Sequence, residues 1–204
     1  MTQTLIFYIP IGIIHFMKEN AERLLKEAER LFAERGLEAV GIQEIVENCD
    51  LTKPTLYYYF GSREGLTQVL FRQGFLRLNS ALDTQSVYEG DLPTYLKQQW
   101  KLWFGVVEAM PDFFRVALSA LYLPPANTHQ VQLKPHWDRL HHRFEELFTK
   151  ATVHYGNMRG REHLLAFSWL GLLQHWTGAF LREGGLDPRV EDPILRPFLY
   201  GLFS

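Results

Sequence analysis

Apolar residues recur at helical spacing along most of this chain. Ala21, Leu24, Leu25, Ala28, Leu31 and Phe32 stand at i, i+3, i+4 and i+7 positions with charged residues between them. That pattern predicts an amphipathic helix, and Gly36 ends it as a left-handed cap. Ile42, Ile45, Val46 and Cys49 mark a second, shorter helix, with Asp50 and Leu51 as a tight connection. Thr52 offers a capping hydroxyl to a third helix over 52–60, and Pro54 fits its first turn, where a backbone N–H has no partner. Gly61 closes that helix. Ser62 caps a fourth, which carries Glu64 near its positive end and runs through Leu66, Val69, Leu70 and Phe75 to near Thr84.

The third helix holds the densest candidate chemistry. At about 100° per residue, Leu56 and Phe60 share one side. Pro54, Thr55, Tyr57 and Tyr58 spread over the other, and Lys53 reaches out from the start. A Lys, Thr and Tyr surface suits phosphates and base edges. A short core helix with surface tyrosines is the plainer reading of the same residues. Two short helices joined by a tight turn and backed by a longer one form a helix-turn-helix pattern, whose second helix enters the major groove.

The pattern beyond is also helical. Residues 85–91 read as a loop, and Pro93 opens a helix to about Met110 with Tyr95, Trp100, Trp103, Phe104 and Val107. Pro111 and Asp112 restart a helix with Phe113, Phe114, Val116 and Leu121. Leu123-Pro124-Pro125 breaks the chain into a loop expected to last to Pro135. A long helix follows from His136 to His154, then a turn at Gly156-Asn157. Residues 161–182 form the most apolar helix, in which Ala166, Gly171 and Gly178 permit close helix contact. A last helix starts near Asp192-Pro193, with Pro197 inside it.

Composition narrows the classes. The chain has 204 residues, 47% hydrophobic and 22% charged, with net charge −2, so no broad basic field argues for nucleic acid. Its one cysteine, Cys49, excludes an intrachain disulfide and fits a reducing compartment. There is no zinc-type Cys/His spacing and no Gly-rich phosphate loop. His141 and His142 are adjacent and point apart on a helix, so spacing gives no metal site; neither metal nor cofactor is expected. Leu5–Phe16 is almost wholly apolar but too short to span a bilayer and unlike a secretory signal. Met17 is expected to be the natural start, with residues 1–16 upstream of it.

Residues 24–70 closely resemble the DNA-binding domain of the TetR/AcrR family of transcriptional regulators. The resemblance rests on LFAERG at 31–36, TKPTLYYYF at 52–60 and Gly-Ser-Arg-Glu at 61–64. It implies an all-α protein. An N-terminal three-helix helix-turn-helix domain (17–64) precedes a larger helical ligand-binding and dimerisation domain (65–204). It also implies DNA contacts from Gln43, Thr52, Lys53, Pro54, Thr55, Tyr57, Tyr58, Tyr59 and Arg63, with Arg63 clamping the backbone. Tyr59 equally fits a half-buried position against the first helix, and Gln43 a solvated one. Gly41 stands where the family often has a capping Ser or Thr.

The implied function is a cytoplasmic, ligand-responsive regulator, a repressor by expectation. It would bind a palindromic double-stranded operator as a homodimer and be released by an unknown small-molecule effector, with no membrane partner. Candidate effector residues are Trp100, Trp103, Phe104, Phe114, Trp137, His141 and His175, though each also fits an ordinary core. Candidate dimer residues are Leu165, Trp169, Leu172, Trp176, Phe180 and Phe198. The alternatives are a helical enzyme or carrier using the aromatic cavity, for which no nucleophile–base pair is visible, and a dimer that has lost DNA binding.

Overall fold

The structure is a computed structural model. It describes residues 11–84, 87–185 and 191–203, with backbone alone at 11–17, 191–192, 200 and 202–203. Among the described residues the regular structure is helical: α1 (Ile11–Arg35), α2 (Ile42–Asn48), α3 (Lys53–Phe60), α4 (Arg63–Asp83), α5 (Leu92–Ala109), α6 (Pro111–Leu121), α7 (Thr128–Ala151), α8 (Glu162–Glu183) and α9 (Glu191–Phe203), plus a 3₁₀ turn at Gly156–Met158. Contacts divide the chain into two compact units, Met1–Thr67 and Gln68–Ser204.

In the first unit, Leu24, Ala28, Leu31 and Phe32 of α1 are buried, as their spacing predicts, together with Leu37, Val40, Ile45, Val46, Cys49 and Leu56. α1, α2 and α3 pack mutually. The backbone of α1 is helical from Ile11, so the second half of the apolar N-terminal run continues into this helix. Residues 1–10 lie outside the described residues. Asp50 turns the chain between α2 and α3 with φ of 52°, and Leu51 N–H bonds back to Val46 O at 2.8 Å. Asp is one of the few non-glycine residues that visits this region readily.

The second unit is built on α7 packed most extensively against α8, with α6 lying on both and α5 on α8 and α6. Its centre is aromatic: Trp103, Phe113, Phe114, Phe144, Phe148 and Trp169 are essentially without solvent exposure. Trp103 Nε1 donates to Thr177 Oγ1 at 2.8 Å, and Thr177 in turn donates to Leu173 O. Gly74 of α4 is required by proximity, because a Cβ there would lie 2.1 Å from the Phe113 ring.

Two expectations change. The loop expected to reach Pro135 ends at Asn127, whose side chain caps α7 by accepting from His129 N–H at 2.9 Å. His129, Leu133, Trp137 and Leu140 are then one buried stripe. Pro135 sits inside α7 on its exposed side, which leaves the unpaired Val131 carbonyl reachable by water. Gly171 and Gly178, expected to admit a neighbouring helix, meet no other helix within 4 Å where a Cβ would stand.

Candidate nucleic-acid interface

The candidate reading helix is seated by Leu56, which is fully buried, while Phe60 is only half-buried. The opposite side is open. Thr52, Lys53, Pro54, Tyr57 and Tyr58 are exposed, with Tyr57 45% and Tyr58 69% accessible. Exposed phenols on a helix this well anchored present flat apolar faces and polar tips to a partner. Tyr59 is half-buried and packs edge-on between Tyr58 (5.2 Å) and Phe60 (6.2 Å). Thr55 is half-buried, and Gln43 is exposed on α2 with its amide donating to Glu47.

Thr52 occupies the N-cap position of α3 without making the expected bond. Its hydroxyl lies 2.9 Å from the Thr55 hydroxyl instead. Ser62 does cap α4, accepting from Gly65 N–H at 2.9 Å. Gly41 begins α2 with no side-chain bond, as its lack of a hydroxyl requires.

Arg63 departs further from expectation. Its guanidinium turns into the domain, donating to Leu37 O and to Val40 O (3.3 Å), and lies 5.8 Å from the centre of the Phe32 ring. It ties the start of α4 to the α1–α2 connection. A matching tie joins α1 to the α2–α3 turn: Arg23 donates to Cys49 O at 2.8 Å while Cys49 Sγ donates to Arg23 O. Burial pushes the Cys49 thiol up from its ordinary value, so it stays protonated and packs as an apolar group.

The remaining cations of the head are largely engaged. Residues 17–64 hold seven basic and ten acidic side chains. Lys18 pairs with Glu22, Arg30 with Glu27 and Glu34, and Arg35 with Glu44. The Arg30 bond holds the Glu27 carboxyl below its usual range. Lys53 is different: it projects from the first turn of α3, where the helix dipole adds positive potential, and among the described residues no acidic side chain forms an ion pair with it.

The profile of bacterial regulatory proteins, tetR family, matches residues 24–70, the span that contains these features. Residues 24–70 thus carry a tetR-family helix-turn-helix segment. The chain is 29% identical over 112 residues to the uncharacterized HTH-type transcriptional regulator YuxN of Bacillus subtilis, covering 53% of this chain and 37% of YuxN. The chain thus spans only about a third of that relative. YdgC of Bacillus subtilis, also named as an HTH-type regulator, is matched more fully, at 23% identity over 90% of this chain and 93% of YdgC. Among solved structures, the fatty acid degradation regulator FadR of Bacillus halodurans superposes with TM-score 0.72 at 15% identity over 88% of this chain and 94% of FadR. AibR in complex with isovaleryl coenzyme A and operator DNA gives 0.68 at 21% identity, over 90% and 98%. At such identities these likenesses show a shared fold. They support the all-α architecture of a helix-turn-helix head followed by a larger helical domain.

In that larger domain the aromatic candidates do not line an open site. Trp100, Trp103, Phe104, Phe114 and Trp137 are buried against one another, with Trp100–Phe104 centroids at 4.4 Å and Trp103–Phe114 at 5.8 Å. His175 is exposed beside Trp176, so it is not a core residue. A cavity of about 780 Å³ opens between α4 and α7 instead, lined by Arg72, Phe75, Leu76, His136, Arg139 and Arg143 among others. His136 stacks flat on Phe75 at 4.8 Å, and burial lowers its pKa. The groove is not legible in the sequence because its two walls come from α4 and α7, with lining residues more than fifty positions apart in the chain. Of the dimer candidates, Leu165 and Trp169 are buried within the chain. Leu172, Trp176, Phe180 and Phe198 are half-buried.

Proposed function

We propose that the chain is a ligand-responsive transcriptional regulator, acting as a repressor, that binds a palindromic operator as a homodimer in the cytoplasm. The observation that carries this is the open side of α3: Lys53, Tyr57 and Tyr58 are exposed on a helix whose other side is locked by Leu56. Thr52 and Thr55 add hydroxyls at the same end. With most other cations of the head engaged internally, phosphate attraction is concentrated at Lys53 and the α3 N-terminus, and affinity is strongly salt-dependent but modest. Arg63 acts in this reading as a positioning residue, holding α4 and the α1–α2 connection in register behind the reading helix.

Dimerisation is proposed through the outer face of α8. Leu164 and Phe167 are 64% and 58% exposed, and Gly171 offers open space on the same side. A two-fold pairing would place two heads on half-sites about one helical turn apart. Among the described residues no helix is long and apolar enough to cross a membrane. The effector is proposed to occupy the α4–α7 groove. Phe75 and Leu76 give it an apolar side, and Arg72 and Arg139 supply positive charge at a rim that also holds Asp83 and Glu146, which fits a ligand with an apolar portion and an anionic group placed at the arginines. AibR, a protein of the same fold, is seen with isovaleryl coenzyme A, a ligand of that character. A coupling of about 1–3 kcal/mol between groove and head suffices for regulation.

Selection of bound fragments from random duplex DNA, followed by mobility shift, tests the reading. A palindrome is expected, bound by the dimer and lost in Lys53→Ala/Tyr57→Ala while the dimer persists. Undiminished binding by that variant, or selection of no sequence, counts against it.

A further inference from the structure

We propose that His141, Glu145 and His163 form a binding site for a divalent transition-metal ion. His141 and Glu145 stand four residues apart on α7 and share a face. His163 is at the start of α8. Only the packing of α8 on α7 brings it to them. His141 Nδ1 lies 3.9 Å from one oxygen of Glu145, and His163 Nδ1 lies 3.6 Å from the other. One ligand atom from each residue falls within 4.8 Å of the others.

The surroundings favour a cation. Side-chain exposure rises from 12% at His141 through 35% at Glu145 to 60% at His163, giving the site a closed floor and an open mouth. Phe167 packs against both imidazoles, with centroids at 4.1 and 4.9 Å, and excludes water from one side. His141 Nε2 is buried with no hydrogen-bond partner. Among the described residues the Glu145 carboxylate faces these two imidazoles and no lysine or arginine.

Two imidazole nitrogens and one carboxylate suit Zn²⁺, Co²⁺ or Ni²⁺, whereas Mg²⁺ and Ca²⁺ take oxygen ligands. Donors about 2.0–2.1 Å from a tetrahedral Zn²⁺ stand roughly 3.3–3.4 Å apart, so side-chain rotation closes the gap. The fourth position is left to water or another ligand. The ion would fasten the start of α8 to the middle of α7, directly behind the exposed Phe167. Neighbouring His142 is outside the site; it faces Glu146 at 3.3 Å.

The test is titration of tag-free, chelator-treated full-length protein with Co²⁺, followed by visible absorption. One Co²⁺ per chain with intense four- or five-coordinate bands is expected, displaced by Zn²⁺. His163→Ala and Glu145→Gln should each weaken binding by at least about tenfold, since even outer-shell partners of a metal ligand are worth that much. His142→Ala should leave it unchanged, and circular dichroism should show His163→Ala as helical as the parent, its side chain being exposed. Zn²⁺ should raise the melting temperature of the parent and not of Glu145→Gln. Absence of saturable binding, equal binding by His163→Ala, or loss in His142→Ala would each overturn the assignment.

Discussion

The head and the larger domain treat their polar groups in opposite ways. In the head, Arg23, Arg30, Arg35 and Arg63 are tied to carbonyls or carboxylates, and the side chains offered to a partner are the few left over at α3. In the larger domain the unsatisfied groups are inside. Both polar atoms of Gln99 and the indole nitrogens of Trp137 and Trp169 are buried without a hydrogen-bond partner. A buried polar group left unpaired costs about 1–3 kcal/mol. The head is therefore a pre-organised surface, whereas the larger domain keeps polar groups that a ligand or water can still satisfy.

The sharpest way to break this contrast is to unseat α3. Leu56 is fully buried, so Leu56→Ala is expected to destabilise the head by about 2–5 kcal/mol and to abolish operator binding. Urea unfolding followed by tyrosine fluorescence checks it, and a change under about 1 kcal/mol would show that α3 is not held by its core side. Arg63→Met comes next, at about 1–3 kcal/mol, because it removes a charged donor from the carbonyls of Leu37 and Val40. Its binding defect should carry an unchanged dependence on salt. A slope reduced by about one would mean that Arg63 reaches a phosphate after all.

How much of this was legible in the sequence differs between the two regions for the same reason. The head is built from local signals: the 24, 28, 31, 32 stripe, Gly36 and Gly61 at helix ends, and Ser62 as a cap. What local signals could not give was the direction of a side chain with two possible partners. Thr52 meets the hydroxyl of Thr55 rather than a backbone N–H, and Arg63 finds carbonyls 23 and 26 residues away. In the larger domain nearly every functional feature depends on distant packing. Trp and Phe spacing announced an aromatic core, yet burial in that core is what removes Trp103 and Phe114 from any open site. The groove joins α4 residues such as Phe75 to α7 residues such as His136, a pairing that only tertiary packing creates. His163 joins His141 only across the α7–α8 contact.

Gln99 tests the inner half of the contrast with a smaller effect. Gln99→Leu keeps the approximate volume and deletes two orphaned polar atoms. It is expected to be neutral or to stabilise the protein by about 1–2 kcal/mol, the reverse of most core substitutions. If the amide serves a ligand, the variant should also lose effector response while binding operator as the parent does. Destabilisation by more than about 1 kcal/mol in urea would show that the amide is satisfied in solution, most simply by an internal water.

The smallest effect concerns His136 and runs through pH. Burial lowers its pKa from the ordinary 6.5, and the Arg139 charge adds to this. As pH falls below 6.5 the unfolded chain takes up the proton first. The ring in the folded protein resists, so stability falls with acidification and the loss levels off once the folded-state ring also protonates. His136→Phe keeps the stacking on Phe75 and removes the titration. It should flatten this part of the stability profile between neutral and mildly acidic pH, as read by urea midpoints. An anionic ligand in the groove reverses the sign, since it favours the protonated imidazole. Ligand affinity should then rise as pH falls in the parent and lose that component in His136→Phe. An unaltered pH dependence in the variant would place the ligand's charge away from α7, and would direct attention back to the buried amide and indoles as the groups that wait for a partner.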